Sequence, residues 1–441
     1  MVSTENEDSV LKKQELNASR YRLGIANLFF TGEESSLGGI SVFIIRAMGG
    51  NDAHFGFVSC FGSLVAFLQC LAVPVLNFFR SNRKAMCFAL GLGAFCGVLL
   101  ATSGLGANAT GSLQQWMLYA FIASSLLMSI ATGIQTTIET SWIGDLVPQS
   151  LRGWFYSVKT VVSIIGMVVL SLLFGFLVDN SPELSKSAFW LYLVVALSHV
   201  MAISIILKIP DRKPLPAKVF ARKDDKEARM DFKNASFWKF CGFYITWAMG
   251  RNIFFVFYSI FLLTEFNFGL LKLNSLNVLT MLLSVVAVMV AGKLSDVKGN
   301  RRLLMLVSTS VGCAMLLFQL TPWFGLVPII VYVLINSMAG ATHTMLINNY
   351  MLEIIPAEGR AAYVSFARIL VGVGGLLSSL AAGAVGRALE LHQWSLKIGG
   401  FSFSRYHLMF FAGAVIAASS SLWLIFIKPQ ENTKIIESQN E

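Results

Sequence analysis

Asp145-Leu-Val-Pro148, followed by Arg152, recurs 208 residues later as Glu353-Ile-Ile-Pro356, followed by Arg360. Each copy has an acid, a proline three residues after it and an arginine four residues after the proline. Each copy also separates two long apolar stretches. A repeat of this kind in an apolar chain is typical of a duplicated membrane bundle, with the substrate held where the halves meet. The two segments therefore predict a transporter.

The composition is that of a membrane protein. Apolar residues make up 55% of the chain and charged residues 13%, against about 25% charged in soluble proteins. A bilayer-spanning helix needs roughly 20 apolar residues, and its backbone groups must be satisfied within the segment. Twelve such helices are predicted, at 23–47, 55–79, 85–106, 115–142, 153–178, 187–208, 238–263, 273–294, 303–322, 325–351, 361–386 and 406–427.

The distribution of Lys and Arg predicts the orientation. With both termini in the cytoplasm, 25 basic residues fall in inner segments and six in outer ones, as the positive-inside rule requires. The net charge of +10 is then explained by basic loops facing an anionic lipid leaflet, without a nucleic-acid partner. We expect an integral protein of an inner or plasma membrane. The six outer residues are Arg46, Lys186, Lys272, Arg387, Lys397 and Arg405.

The central segment, rich in proline and mixed charges, divides the helices six and six. The predicted domains are a cytoplasmic tail (1–22), a six-helix bundle (23–208), a cytoplasmic linker (209–237), a second six-helix bundle (238–427) and a cytoplasmic tail (428–441). The other loops are too short for a soluble catalytic domain. The six cysteines lie in apolar spans with no metal-like spacing, and no nucleotide-binding or hydrolase motif occurs. We therefore expect no enzyme activity, metal or cofactor.

A second repeat lies between helices 2 and 3 and between helices 8 and 9. Residues 73–84 read VPVLNFFRSNRK and residues 291–302 read AGKLSDVKGNRR. The latter resembles the signature loop of the major facilitator superfamily, with Gly292 and Asp296 followed by Gly299 and basic residues. The resemblance covers residues 20–430 and implies an all-α fold of two pseudo-symmetric six-helix bundles. The first copy departs from the signature at Phe78 and Ser81, so its half of the inner gate is expected to be weak.

Helices 1 and 4 carry acids within apolar spans, where a charge is costly and usually functional. Glu33 and Glu34 lie near the middle of helix 1, and Glu34 shares a helical face with Asn27 and Thr31. We expect Glu34 to face the cavity and to bind a proton or substrate, and Glu33 to face a neighbouring helix. The alternative for Glu34 is a structural pair with an arginine or hydroxyl.

Helix 4 shows a similar polar stripe that includes Gln135 and Glu139. Glu139 lies about one turn from the inner end of helix 4, so a solvated role or a pairing with a loop is the alternative to proton binding. Resemblance to the family implies that helices 1, 4, 7 and 10 line the central cavity, and that acids on helices 1 and 4 couple protons. Lys159 on helix 5 is expected to extend toward the membrane interface.

Helix 7 carries Arg251 near its middle, on a face with aromatic residues. The planar guanidinium suits a carboxylate or phosphate, and the aromatic rings can pack against a ring or sugar face. The alternative is an ion pair between Arg251 and the acids of helix 1. The further candidate binding residues of helices 7 and 10 are Tyr244, Trp247, Tyr258, Asn336 and His343.

The charged residues at the inner helix ends are predicted to form a gate, because acids facing basic loops can form charge-assisted hydrogen bonds that rocking would break. They are Asp145, Arg152, Asp296, Arg301, Glu353 and Arg360.

The sequence thus predicts a monomeric secondary active transporter that moves a small polar solute, an organic anion or sugar-like compound, by proton-coupled symport. The alternatives are an uncoupled facilitator or exporter, and a membrane sensor or receptor on a transporter scaffold. A sensor would be expected to carry a long soluble tail, whereas 14 residues follow residue 427.

Overall fold

A computed structural model describes residues 17–29, 40–147, 152–181, 183–210, 234–355, 360–398 and 400–427. Nearly all of these residues are helical, as predicted. The helices are α1 (17–29), α2 (Ser41–Ala47), α3 (Asp52–Leu68), α4 (Ala72–Phe79), α5 (Asn82–Gly104), α6 (Gly111–Leu146), α7 (Arg152–Asp179), α8 (Leu184–Ile206), α9 (Ala235–Glu265), α10 (Leu270–Lys298), α11 (Asn300–Leu316), α12 (Thr321–Phe324), α13 (Val327–Ile354), α14 (Arg360–Leu391), α15 (Arg405–Ser419) and α16 (Ser421–Ile425).

Nine helical spans in the described part of the chain are long and apolar enough to cross a membrane. They correspond to predicted helices 3–7 and 9–12. Predicted helix 8 is the single helix α10, and predicted helix 1 is described only at its two ends, 17–29 and 40–47. The nine spans, α10, the α3–α4 segment and the two described ends of helix 1 are consistent with the twelve predicted helices.

Predicted helix 2 is not continuous, in contrast to the expectation of one helix over 55–79. The chain forms α3, a 3₁₀ turn over Gln69–Leu71 and then α4. Pro74 is the third residue of α4. Proline is accepted in the first turn of a helix because the backbone N–H that it lacks would have no intrahelical acceptor there. The proline therefore fits a helix that restarts at Ala72.

The described residues belong to two compact units. The first draws on residues 1–50, 64–217 and 262–275, and the second on residues 51–63, 218–261 and 276–441. In the first unit α5 packs against both α6 and α8, and in the second α11 packs against both α13 and α15. The same three-helix arrangement thus occurs twice, which is the pseudo-symmetry that the sequence repeat predicted.

Glycines set the close approach of helices in both units. A methyl group at Gly97 of α5 would lie 3.0 Å from the Ala196 side chain of α8. A methyl group at Gly312 of α11 would lie 2.7 Å from the backbone of Ala418 in α15. These glycines therefore act in close helix packing, as small residues do in membrane bundles.

The repeat extends to side chains that bind helix C-termini. Arg83 donates to the carbonyl of Ile209 just after α8, at 3.1 Å. Arg301, 218 residues later, donates to Leu424 and Ile425 at the end of α16, at 2.9 and 3.0 Å. Cations are favourable at helix C-termini because the last carbonyls lack partners and carry partial negative charge. Arg301 therefore has a capping role in the described structure, and its predicted gating role stays a prediction.

The predicted outer loop between helices 11 and 12 contains two short strands that are not among the predicted elements. Strands β1 (Ser395–Ile398) and β2 (Phe401–Ser404) form an antiparallel hairpin with Ile398 opposite Phe401. The backbone turns through Gly400, whose φ of 86° favours glycine. Trp323 packs against Phe401 and Phe403 of β2, with its ring centroid 5.3 and 5.2 Å from theirs.

Candidate functional site: a cationic cavity and a buried ion pair

Helix α9 presents polar and aromatic side chains along one face near its middle. Tyr244, Trp247, Arg251 and Phe255 are spaced by three or four residues and so lie on the same side of the helix. This face borders a cavity of about 360 Å³ within the second compact unit, a volume within the range of small-molecule sites. Its lining consists of Tyr244, Trp247, Ala248, Arg251, Asn252, Phe255, His343, Thr344, Ile347, Asn348 and Val371.

Arg251 supplies the charge of this cavity. Its guanidinium lies over the Phe255 ring, 5.1 Å from the centroid. Within the described residues Arg251 makes no ion pair or hydrogen bond, whereas Lys159, Arg387 and Arg405 all pair with acids. A partly desolvated cation without a counter-ion is costly unless something compensates it. The cavity is therefore electrostatically suited to an anion.

His343 lies beside Arg251 in the cavity wall and is held on two sides. Its Nε2 is 3.1 Å from Ser308 Oγ, and Ser308 Oγ itself donates to the Leu304 carbonyl. The hydroxyl therefore accepts from the His343 Nε2–H, which leaves Nδ1 as an acceptor. The imidazole also packs against Trp247, with ring centroids 4.2 Å apart and planes inclined by 32°. Both predicted residues line the cavity in a fixed orientation.

Among the predicted binding residues of helices 7 and 10, two do not line this cavity. Tyr258 is buried in an aromatic cluster, with its ring centroid 5.9 Å from those of Phe254, Phe318 and Tyr332. Asn336 is half-buried and does not border the cavity.

Three polar lining residues were not selected from the sequence. They are Asn252, Thr344 and Asn348. Asn252 lies eight residues after Tyr244, and Asn348 lies four residues after Thr344. This helical spacing is the signal that could have identified them. Of the two residues predicted on helix 10, Asn336 and His343, His343 borders the cavity and Asn336 does not.

The first compact unit contains a separate polar site. Lys159 Nζ on α7 lies 2.8 Å from Glu139 Oε2 on α6. The side chains are 19% and 6% exposed. The expectation that Lys159 extends toward the membrane interface is therefore wrong, because its ammonium is held by a buried carboxylate. Asn27 Nδ2 on α1 lies 3.4 Å from Glu139 Oε1, at the outer limit of a hydrogen bond.

Several predicted residues are not placed. Thr31, Glu33 and Glu34 lie outside the described residues. Four gate candidates lie in described helices but their side chains are not described: Asp145, Arg152, Asp296 and Arg360. Glu353 accepts a hydrogen bond from Asn300 Nδ2. In the part of the chain that is described, no group of three or more His, Cys, Asp or Glu side chains could hold a metal ion.

The second compact unit thus places a polar, cationic cavity among helices that are long and apolar enough to cross a membrane. The model of the Major Facilitator Superfamily matches residues 23–379 and 240–440. The chain belongs to this family. It is an integral membrane protein and a secondary transporter of small molecules.

Solved structures share this fold at low sequence identity. The xylose transporter XylE from E. coli, in an inward-open conformation, aligns over 95% of this chain and 98% of its own, with 12% identity and a TM-score of 0.69. The nucleoside transporter NupG aligns over 93% of this chain and 100% of its own, with 15% identity and a TM-score of 0.69. A bacterial homologue of the iron transporter ferroportin aligns over 92% and 98%, with 13% identity and a TM-score of 0.70. A search of curated proteins finds no match.

Proposed function

We propose that the protein moves a small organic anion across the membrane by alternating access, coupled to protons. The observation that carries the proposal is Arg251, a cation in a small-molecule cavity with no ion pair among the described residues. Guanidinium and carboxylate form two parallel charge-assisted hydrogen bonds. A bound carboxylate would therefore compensate the charge that Arg251 brings into the cavity.

The remaining lining fits a carbon skeleton with hydroxyl groups. Trp247 and Phe255 offer ring faces, and Asn252, Thr344 and Asn348 offer hydrogen-bond donors and acceptors. The same groups favour a neutral sugar-like solute as the second candidate. XylE and NupG are described as transporters of xylose and of nucleosides. The two candidates differ in their dependence on Arg251, since a neutral solute makes no ion pair with it.

The arrangement in the membrane forms part of the same proposal. Two six-helix bundles, 23–208 and 238–427, are joined by a cytoplasmic linker at 209–237, with both tails (1–22 and 428–441) in the cytoplasm. The positive-inside distribution of Lys and Arg supports this orientation. We expect the monomer to be the transporting unit.

Ligand binding to the purified protein tests the substrate class. Thermal stabilisation is measured with gluconate, glucuronate, quinate, malate, glucose, xylose and uridine. We expect at least one carboxylate to stabilise the native protein. A charge-assisted hydrogen bond contributes about 1.5–3 kcal/mol, so Arg251→Gln should weaken that binding about 10- to 150-fold.

Two further variants separate charge from folding. Arg251→Lys keeps the charge but not the two-pronged geometry, and should bind the anion with intermediate affinity. Arg302→Gln removes an exposed arginine on α11 and should bind as the native protein does. If only sugars or nucleosides bind, or if Arg251→Gln binds the anion as tightly as the native protein, the organic-anion proposal is wrong.

A further inference from the structure

The sequence at the start of α1 recurs at the start of α9. Residues 17–22 read NASRYR and residues 234–239 read NASFWK, 217 residues later. Both copies end in an aromatic residue followed by a basic one, which is Arg22 in α1 and Lys239 in α9. The duplication that relates the two compact units therefore includes one cation at the start of a helix in each unit.

In the first compact unit this cation binds the same helix end as Arg83. Arg22 donates from Nη1 to the Lys208 carbonyl, and Arg83 donates from Nη1 to the Ile209 carbonyl at 3.1 Å. Both carbonyls follow directly after the last residue of α8. The side chain of Lys208 is itself exposed at this point. Three basic residues from α1, α5 and the end of α8 thus meet in a first basic site, formed by Arg22, Arg83 and Lys208.

The second compact unit repeats the arrangement at the end of α16. Lys239 Nζ donates to the Phe426 carbonyl at 2.8 Å, next to the Leu424 and Ile425 carbonyls that Arg301 binds. Lys239 and Arg301 form the second basic site. A lysine stands here where the first site has an arginine, so the two sites share their charge and not the planar guanidinium.

The helix end compensates only part of the charge that it gathers. A helix C-terminus carries roughly half a negative charge, whereas each site brings at least two cations to it. Arg22 and Lys208 in the first site make no ion pair among the described residues, and neither do Lys239 and Arg301 in the second. Each site therefore keeps a net positive charge, and its like charges repel one another unless an anion lies between them.

Exposed apolar side chains lie beside each basic site. Tyr21 and Leu207 are exposed next to the first site, and Trp238 and Phe426 are exposed next to the second. Tyrosine and tryptophan are enriched where a membrane meets water. Both sites also lie at the ends of helices that are long and apolar enough to cross a membrane, which is where lipid headgroups lie. An amphiphile with an anionic head matches this combination better than a free anion does.

We propose that the two basic sites bind anionic phospholipids, one phospholipid at each site. The phosphate group lies between the cations and accepts charge-assisted hydrogen bonds from them, and the acyl chains pack on the exposed apolar side chains. The positive-inside distribution of Lys and Arg makes this leaflet the cytoplasmic one. Neither site involves the lining of the cavity, so the inference is independent of the transported solute.

Native mass spectrometry of the detergent-solubilised protein tests the sites. The protein is titrated with phosphatidylglycerol and, separately, with phosphatidylcholine that carries the same acyl chains. We expect two phosphatidylglycerol molecules to bind at least tenfold more tightly than phosphatidylcholine, because phosphatidylcholine has no net charge. Equal affinities for the two lipids would overturn the proposal.

Two double variants assign one lipid to each site. Arg22→Gln/Lys208→Gln should weaken the binding of one phosphatidylglycerol about 30-fold, because each basic residue near an anionic lipid surface contributes about fivefold. Lys239→Gln/Arg301→Gln should weaken the binding of the other phosphatidylglycerol to the same extent. Arg22→Lys and Arg301→Lys keep the charge and should bind both lipids. Native stoichiometry and affinity in both glutamine variants would contradict the assignment, and so would loss of a lipid in the charge-retaining variants.

Two controls separate the sites from general charge attraction and from free phosphate. Arg80→Gln/Arg302→Gln removes two exposed arginines whose side chains bind no helix end in the described part of the chain, and should bind both lipids as the native protein does. An equal loss in this control would mean that the basic surface attracts lipid diffusely. A large excess of inorganic phosphate should leave phosphatidylglycerol bound, since phosphate lacks acyl chains. Its displacement by phosphate would show an anion site that does not recognise lipid.

Discussion

Replacing Arg405 by glutamine should destabilise the protein more than any exposed charge substitution, because Arg405 is the counter-ion of a fully buried acid. The Asp52 side chain is 0% exposed, and Arg405 Nε and Nη2 lie 2.7 and 3.5 Å from its carboxylate oxygens. The guanidinium also reaches Glu390 at 3.4 Å and lies over the Tyr406 ring. Arg405→Gln removes all of these charged contacts at once.

The expected loss in the free energy of unfolding follows from the burial of the ion pair. Removing one partner of a buried ion pair costs about 3–5 kcal/mol. Asp52 has contacts besides Arg405, which places the expected loss near the lower end, at about 3 kcal/mol. Lys186→Gln breaks the exposed pair with Glu183 and should cost about 0–1 kcal/mol. The two substitutions remove the same kind of charge and differ mainly in burial.

The assay is reversible unfolding of the purified protein in mixed micelles, followed by tryptophan fluorescence and circular dichroism. Asp52→Asn and the Asp52→Asn/Arg405→Gln double variant complete a cycle that isolates the pair. The double variant should be less destabilised than the sum of the two single variants. An Arg405→Gln protein within about 1 kcal/mol of the native free energy of unfolding, or strictly additive effects, would refute the reasoning.

Three further predictions concern packing, capping and orientation. Asp179→Ala removes the carboxylate that accepts the first two amides of α10 at 2.8 and 3.0 Å, and should cost about 1–2 kcal/mol in the same unfolding assay. Gly383→Ala places a methyl group 2.8 Å from a backbone carbon of α3 and should cost about 1–3 kcal/mol, whereas Gly91→Ala, with no atom within 4 Å, should not destabilise. In a cysteine-free background, a membrane-impermeant maleimide applied to intact cells should label Lys397→Cys in the β1–β2 hairpin and leave Lys208→Cys unlabelled.

For each of these predictions one result would contradict the reasoning. A native free energy of unfolding for Asp179→Ala would mean that the two hydrogen bonds contribute nothing. Equal effects of Gly383→Ala and Gly91→Ala would contradict the close crossing of α14 and α3. Labelling of Lys208→Cys rather than Lys397→Cys from outside would reverse the orientation.

The fold was predictable because a bilayer allows few alternatives. Once the apolar stretches and the repeat around Asp145 and Glu353 were recognised, helices in two related bundles were nearly the only solution. The cavity arginine was predictable for the same reason, since a charge in the middle of an apolar helix is rare. Arg251 does line a cavity, together with Tyr244, Trp247 and His343.

Contacts between helices were not predictable, because periodicity gives the face of one helix and not its neighbour. The position of Lys159 on its own helix predicts a side chain that extends to the membrane interface, whereas its ammonium pairs with Glu139 on another helix, α6. The position of Arg301 in a basic loop predicts a gating role but does not reveal its hydrogen bonds to the end of α16. The hairpin did leave a signal, the alternation of Phe401 and Phe403 after two glycines, which is typical of a short turn and strand.

The most direct test of the central claim is uptake by proteoliposomes containing the native protein or Arg251→Gln. The solutes are labelled gluconate, glucuronate, quinate, xylose and uridine, each supplied with and without an inward proton gradient. The account predicts that an organic anion accumulates only with the gradient and that Arg251→Gln lowers its uptake from sub-saturating solute by about tenfold or more. Accumulation of a neutral solute instead, or gradient-driven uptake of an anion that is unchanged in Arg251→Gln, would contradict it.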